Sequence, residues 1–184
     1  MTTSSKLSNL SDSPITSGVI SRQPKNINQL NVVSYKLVIS RMPEVEYHCT
    51  SVNIPSVNLG GPVLLPNRFT DDKRPGEKLD FDNLNIEFII DEDLNNYREV
   101  YNWLLGLGFP ENHQQHQNLP EELSDIKLIT LTNNSRGNIE FSFKDCFPTL
   151  LGEINFTSSA IDLDPMICSA SFAFSGSFKI ENIV

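Results

Sequence analysis

The clearest pattern of apolar and polar residues lies between Leu79 and Trp103, where an alternating stretch gives way to helical spacing. The alternation predicts a strand with one buried face, formed by Phe81, Leu84, Ile86, Phe88 and Ile90. Three acids follow at residues 91–93, where a helix N-terminus favours negative charge. Apolar residues then recur every three or four positions, which predicts an amphipathic helix near residues 93–105. Its apolar stripe comprises Leu94, Tyr97, Val100, Tyr101 and Leu104, and Gly106 and Gly108 are expected to end it.

From Asn31 onward, shorter alternating stretches predict further strands. They cover residues 34–40, 45–54, 126–133, 138–147, 152–159 and, as one long final strand, 168–182. The turn-rich residues 134–137 predict a hairpin, and Pro148 is expected to break the strand that follows it. The predicted core residues are Phe88, Trp103, Phe172 and Phe174. The predicted fold class is therefore mainly β with one main α-helix.

Three regions lack the apolar residues needed to fold by themselves. Residues 1–30 are rich in Ser, Thr and Asn, which predicts an extended N-terminal arm that other subunits order, ahead of a domain at 31–184. The polar residues 109–122 are interpreted as a surface loop. Residues 56–78 contain prolines, glycines and a charged segment, which predicts an extended excursion with a turn at Pro75-Gly76. Such an excursion is available to pack on a neighbouring molecule.

Composition and charge exclude several functions. The chain of 184 residues has 14 basic and 23 acidic residues, a formal charge of -9, which disfavours wrapping of nucleic acid and binding to anionic membranes. No apolar run approaches the roughly 20 residues that span a bilayer, and the N-terminus does not resemble a signal peptide, so a soluble protein made in a cytoplasm is expected. Cys49, Cys146 and Cys168 are interpreted as buried, unpaired thiols.

Few residues suggest chemistry. Residues 91–93 could hold a cation or act as an acid pair, but a helix N-terminus is the favoured interpretation. His113 and His116 are favoured as solvated loop residues, and Asp162 and Asp164 as part of a turn before Pro165. No phosphate-binding loop, nucleophile elbow or Cys-x-x-Cys pair is present. We therefore expect no catalytic residue, no cofactor and no metal.

The order of these features resembles the tail-tube protein family of contractile-tailed bacteriophages, whose fold is shared with the inner tube of type VI secretion systems. The resemblance covers about residues 31–182 and depends on order and spacing. Its parts are VEYHCTSVNIP, a long excursion, FDNLNIEFII, DEDLNNY, YREVYNWLL, DCFPTLLGEINF and the alternating final strand. The sequence departs from the family pattern in its long N-terminal arm and in the polar loop from Phe109 to Glu122.

The resemblance implies a tail-tube-like β-barrel or sandwich that contributes to a ring-shaped oligomer. Six copies would join their sheets into one barrel, rings would stack, and DNA would pass through the lumen without specific binding. Sheath, baseplate or tail-end proteins would be the other partners, and the protein would be located in the virion tail after assembly in the host cytoplasm. The residues implied in contacts between subunits are Asn67, Arg68, Lys73 and Arg74 of the excursion. The candidate lumen acids, for which an ordinary solvated face is an equal alternative, are Glu46, Asp82, Glu87 and Glu140.

Several functions remain open from the sequence. The leading hypothesis is a structural subunit of the tail tube that takes part in DNA ejection. Alternatives of the same fold are a tube initiator, a baseplate-proximal ring or a tail-end ring. A small-ligand-binding β-barrel, or a hydrolase using residues 91–93, is a less favoured class.

Overall fold

The computed structural model describes residues 27–61, 63–65, 68–108, 123–158 and 164–183. The chain divides into two units, Met1–Asn31 and Val32–Val184. All helices and strands of the described residues belong to the second unit. The described residues 27–31 of the first unit form no helix or strand. The predicted division into an arm at 1–30 and a domain at 31–184 stays a prediction.

The described residues contain eleven strands and two helices. The strands are β1 (Tyr35–Ile39), β2 (Cys49–Val52), β3 (Val57–Leu59), β4 (Val63–Leu65), β5 (Asp72–Arg74), β6 (Leu79–Phe81), β7 (Leu84–Ile89), β8 (Ser124–Leu131), β9 (Gly137–Leu151), β10 (Ile167–Ala173) and β11 (Lys179–Asn182). The helices are α1 (Pro43–His48) and α2 (Asn95–Gly108). The predicted fold class, mainly β with one main helix, is therefore confirmed.

Seven strands form one antiparallel sheet in the order β1-β8-β9-β10-β7-β2, with β11 also paired to β9. The long strand β9 takes part in both halves of this sheet. Its N-terminal half pairs with β8 and β11, and with β1 these strands form what we call the first sheet. Its C-terminal half pairs with β10, and with β7 and β2 these strands form the second sheet. An irregularity at Asp145, whose φ is +51°, lies where β9 passes from one sheet to the other.

The core consists of the side chains that alternate inward from these strands, together with the buried face of α2. Phe88, Trp103 and Phe172 are buried, and Phe174 is partly buried against them. Cys146 and Cys168 are buried and Cys49 is half-buried, and all three are free thiols. Phe174 and Phe178 form an aromatic cluster with Phe81, Phe141 and Phe143.

The strand predicted at 45–54 is wrong in its first half. Residues 43–48 form helix α1 instead, and only the short strand β2 follows. Pro43 occupies the first turn of this helix, where its missing N–H costs nothing, and Glu44 and Glu46 lie in the same turn, where acids are favourable. The apparent alternation around Val45 therefore belongs to a helix that buries a single residue.

The predicted strand ends near the C-terminus also need correction. Pro148 does not break β9; it lies opposite Phe172 beside a register shift, a position where a strand tolerates proline. The predicted strand at 152–159 is wrong, because the described residues 152–158 form no strand. The long final strand is two strands, β10 and β11, separated by a bend at Gly176, which has a φ of +70°.

Helix α2 differs from its prediction at both ends. It begins at Asn95, after Leu94 with a φ of +57°, so the acids at 91–93 precede the helix and none lies in its first turn. Gly106 is buried inside the helix, which continues to Gly108. Leu94 and Tyr101 of the predicted apolar stripe are exposed. The buried face instead contains Asn96, Val100, Trp103 and Gly106.

The excursion forms two short antiparallel ladders, β3 with β6 and β4 with β5. The predicted turn at Pro75-Gly76 is wrong, since these residues lie between β5 and β6, where the chain passes from one ladder to the other. Gly76 lies so close to the Gly60 backbone that a Cβ atom would clash there. The glycine therefore lets the two chain segments approach each other between the ladders.

Candidate functional site: the assembly surfaces

Helix α2 is fixed on the second sheet through Trp103. The Trp103 side chain is 2% exposed, and its ring centre lies 5.9 Å from that of Phe172 on β10. The guanidinium carbon of Arg41, which follows β1, lies 4.9 Å from the same ring, within the range of a cation–π contact. The side chain predicted as core thus connects the helix, the second sheet and the end of β1.

Asn96, which the pattern of apolar residues does not point to, fixes the start of α2. Its fully buried side chain donates to the Ile89 carbonyl at 2.7 Å and accepts from the Asp91 backbone N–H at 3.4 Å. It thereby satisfies backbone groups at the point where β7 gives way to the helix. Its position directly after the acidic turn is a helix-start signal that sequence reasoning could have used.

The second sheet presents an outward surface with little charge. This low-charge face comprises Ser51, Asn53, Asn85, Glu87, Ser169 and Ser171. The Ser171 hydroxyl donates to the Asn85 side-chain oxygen at 2.6 Å, and the Asn85 N–H donates to the Asn53 side-chain oxygen at 2.6 Å. The strand segments of this sheet contain no Lys or Arg, and Glu87 is their one charged residue.

The first sheet presents a surface with many charges of both signs. This charged face comprises Lys36, Asp125, Lys127, Glu140, Lys144, Lys179 and Glu181. The Lys127 ammonium lies 2.7 Å from the Glu140 carboxylate, and this hydrogen bond raises the pKa of Lys127. Glu140 also lies opposite Glu181 on β11. The face therefore contains paired cations and anions that interact with each other.

The structure does not bring the four candidate lumen acids together. Glu87 lies on the low-charge face and Glu140 on the charged face. Glu46 lies on α1, where it accepts a hydrogen bond from the Ile39 N–H at 3.0 Å, so the strand alternation that suggested it is wrong. Asp82 follows β6 and accepts a hydrogen bond from the Ser56 hydroxyl.

The paired strands β3–β6 of the excursion carry exposed apolar side chains. Val57, Leu59 and Leu79 are 46%, 51% and 59% exposed, and the register places Leu59 opposite Leu79. Of the predicted contact residues, Asn67 lies outside the described residues. Arg68, Lys73 and Arg74 are exposed near or within β5. Exposed apolar groups beside basic groups suit contact with another protein surface.

An acidic turn lies between β7 and α2. Burial, and then the nearby Glu44 and Asp91 carboxylates, raise the pKa of Glu99. One carboxylate oxygen of Asp91 and one of Glu99 are buried without a hydrogen-bond partner among the described residues. Among the described residues, no three His, Cys, Asp or Glu side chains are arranged to hold a metal. His113, His116 and Asp162 lie outside the described residues, and Asp164 is exposed.

A cavity of about 720 Å³ lies beside β1, between the first and second sheets. Its walls include Val32, Val33, Tyr35, Glu46, Tyr47 and Cys49. Burial and the neighbouring Cys49 raise the pKa of Tyr35 to about 12, so its hydroxyl stays protonated and is hydrogen-bonded to that cysteine. Residues of both β1 and β2 line the cavity, and these two strands, which lie at opposite ends of the strand order, do not pair with each other.

This architecture, an antiparallel sheet in two parts with helix α2 packed on it and two short ladders, is a fold shared with solved chains of contractile injection systems. The chain resembles the sheath/tube terminator of the extracellular contractile injection system PVC, with a TM-score of 0.58, 13% identity and coverage of 84% of this chain and 97% of that one. It also resembles a chain of the anti-feeding prophage baseplate, with a TM-score of 0.57, 8% identity and coverage of 85% and 99%. No protein-family model matches the chain.

A sequence relative gives a more specific likeness. Over 113 residues the chain is 27% identical to the tail tube terminator protein of Enterobacteria phage T4, which covers 59% of this chain and 61% of the phage protein. The match therefore spans about three-fifths of that relative. These relatives are structural components of tails and injection systems, in agreement with the expectation of a noncatalytic protein. No helix among the described residues is long and apolar enough to cross a membrane.

Proposed function

We propose that this protein is a ring-forming terminator subunit at the end of a contractile tail tube. The observation that carries the proposal is the 27% identity to the tail tube terminator of phage T4 over 113 residues. The fold itself is similar to a terminator and to a baseplate chain with almost equal TM-scores, 0.58 and 0.57. Because the fold alone does not distinguish the two ends of a tail, the proposal of a terminator is supported by the sequence relative.

The proposed ring contains six copies around a channel, located in the virion tail after assembly in the host cytoplasm. Its contacts use the excursion, whose exposed Val57, Leu59 and Leu79 would be covered by an adjacent copy. The exposed Arg68, Lys73 and Arg74 would lie at the margin of that contact, and Asn67, which precedes Arg68 in the sequence, is proposed for the same contact. Tube, sheath and other tail-end proteins are the further partners. Burial of apolar side chains would supply most of the association energy, and the charged groups would set the orientation of the two copies.

The proposed channel surface is the low-charge face. Lys and Arg side chains bind DNA phosphates and release counterions, so a channel that must let DNA slide requires few of them. The second sheet provides none, and its one acid, Glu87, would repel phosphate weakly. The charged face, with Lys127 and Lys179, would retain DNA and is assigned to the outside of the ring. Glu87 is then the lumen acid, whereas Glu46, Asp82 and Glu140 are not.

Electron microscopy of the full-length protein over a range of concentrations tests the role. A terminator should form single rings, or stacks of two, that do not extend, and should bind the end of preformed tail tubes. Long tubes of uniform width would instead indicate the repeated tube subunit. Binding to baseplates and not to free tube ends would indicate an initiator. Persistent monomers would contradict a ring and leave the ligand-binding class.

A matched pair of serine variants tests the channel surface. Ser169→Lys places a cation on the low-charge face, and Ser142→Lys places one beside Lys179 on the charged face. Particles assembled with Ser169→Lys should eject DNA slowly at low salt and recover at high salt, because cation–phosphate contacts are screened. Particles with Ser142→Lys should eject DNA normally. Equal behaviour of the two variants would contradict the assignment of the channel face.

A further inference from the structure

One edge of strand β1 pairs with β8, and no strand among the described residues pairs with its opposite edge. The Leu131 N–H donates to the Ser34 carbonyl at 2.9 Å, so in this antiparallel ladder Ser34, Lys36 and Val38 direct their backbone groups towards β8. The alternate residues Tyr35, Leu37 and Ile39 direct theirs away from it. The Ile39 N–H is bound to the Glu46 carboxylate at 3.0 Å, and its carbonyl accepts from the Met42 N–H at 3.3 Å.

Tyr35 and Leu37 also direct their backbone N–H and C=O groups away from β8. Within the described ranges, no hydrogen bond satisfies their outward N–H and C=O groups. As far as the described residues go, these two N–H groups and two carbonyls form a short unpaired strand edge. Open edges of this kind are where an additional strand pairs.

The space beside this edge suits an extended chain. It is the cavity of about 720 Å³ that lies between β1 and β2, and its lining combines apolar residues with polar ones such as Lys36, Glu46 and Thr50. Val32, Val33 and Tyr47 line it and are 90%, 77% and 85% exposed. Free backbone donors and acceptors beside apolar side chains are the two requirements of strand addition, in which the backbone gives affinity and the side chains give specificity.

We propose that residues 15–23 of a neighbouring copy of this chain add to the free edge of β1 as an extra strand. This segment, ITSGVISRQ, is bounded by Pro14 and Pro24 and contains the β-branched residues Ile15, Thr16, Val19 and Ile20. Elsewhere in residues 1–26 the apolar side chains are isolated. Val19 and Ile20 are adjacent, so the inserted strand would direct one apolar side chain to each side.

A second copy fits this edge better than a foreign protein. Each copy has one β1 edge and one such segment, so a ring in which each copy donates to the next would pair every β1 edge by a single repeated contact. The roughly ten residues between Pro24 and β1 include a turn at residues 32–33, so they span less than the about 35 Å of a fully extended chain, a distance comparable with the width of a small domain. The inference rests on the proposed ring, since it requires an adjacent copy.

Amide hydrogen exchange on the full-length protein tests the added strand. In the assembled ring, the Tyr35 and Leu37 amides should exchange about tenfold or more slowly than in the dissociated protein. The double variant Val19→Asp/Ile20→Asp should lose this protection, and the matched control Leu7→Asp/Leu10→Asp should keep it. Rings with fast exchange at these two amides, or with protection unchanged in the Val19/Ile20 variant, would overturn the inference while leaving the ring intact.

Crosslinking tests whether the strand comes from a neighbour. Chains with Ile20→Cys are mixed with chains with Val32→Cys, and a short thiol-reactive crosslinker is added. Each single variant treated alone gives the background crosslinking from the native cysteines. A crosslinked dimer from the mixture supports donation between copies. A doubly substituted chain that gives only an internal crosslink would overturn it. If the protein forms no oligomer, the proposed ring and this inference both fail.

Discussion

The two sheets of this protein share one strand and one core, yet their outward surfaces differ. The strands of the second sheet contain a single charged residue, Glu87, whereas those of the first sheet contain charges of both signs, among them the Lys127–Glu140 pair. Inward, both sheets follow the same alternation of buried apolar residues. The inward pattern builds the common core of both sheets. The outward pattern is free to vary, and its difference between the sheets carries the information about function.

The two sheets also differ in what covers their inner faces. The second sheet is covered by α2 through Trp103, which packs on Phe172. The first sheet packs on an aromatic cluster that includes Phe178, a partly buried residue. One large side chain, Trp103, therefore covers the second sheet, whereas several aromatic rings, some of them only partly buried, cover the first sheet.

The largest effect is expected for Trp103→Ala. The ring is almost fully buried, so its removal should lower the free energy of unfolding by about 3–5 kcal/mol. Phe178→Ala, the control on the other sheet, should cost less because that ring is partly exposed and has several aromatic neighbours. Urea denaturation of both variants checks this. Equal losses, or a loss below about 1 kcal/mol for Trp103→Ala, would show that the helix does not anchor the second sheet.

Asn96→Ala should have the next largest effect. It leaves the Ile89 carbonyl and the Asp91 N–H without their side-chain partner at a buried position, which costs about 1–3 kcal/mol. Asn95→Ala changes the adjacent, exposed amide and should stay within about 0.5 kcal/mol of the parent. Thermal and urea unfolding of the pair would measure the difference. Similar values for the two variants would contradict the role given to Asn96.

Much of the fold could be predicted from the sequence because it follows from alternation. The strand around Ile86 and Phe88 and the hairpin between β8 and β9 have clear period-two patterns, and the structure contains both. Errors occurred where a local pattern permits two structures. Around Val45 the alternation suits a strand, but Pro43 and two acids favour a helix start, and the contacts of the folded chain decide.

The candidate surfaces could be predicted only in part, because they depend on which strands become neighbours. Glu87 and Glu140 both alternate with core residues, and their sequence environments do not show that they lie on different faces. The open edge at Tyr35 and Leu37 likewise depends on the strand order, which places β1 at the end of the sheet. Register between distant strands is a property of tertiary packing, which no local pattern contains.

Glu99→Gln should have a smaller, pH-dependent effect on the helical side of the second sheet. Burial and neighbouring acids raise the pKa of Glu99 in the folded protein above its ordinary value of 4.5. The folded state therefore binds this proton more tightly than the unfolded state, and the resulting stability is present below pH 4.5 and lost as the pH rises through the folded-state pKa. At pH 7 the variant should be more stable than the parent.

That advantage should disappear as the pH falls below 4.5, because Glu99 is then protonated in both states of the parent. Glu92→Gln, at an exposed position of the same acidic turn, should show no such trend. Urea midpoints of the three proteins between pH 4 and 8 would measure it. Parallel curves for Glu99→Gln and the parent would mean that the Glu99 carboxylate is solvated in the folded protein.

The smallest effect is expected on the charged face. Lys127→Ala removes the ion pair with Glu140, but the ammonium is well solvated and the pair is screened by salt, so the urea midpoint should not change measurably. Glu140→Ala, the reciprocal variant, should behave in the same way. A clear loss of stability in both would mean that the pair is held away from solvent. If the loss of stability appeared only in assembled rings, the charged face would lie in a contact between subunits. The two faces would then differ as two interfaces, and not as a channel surface and an outer surface.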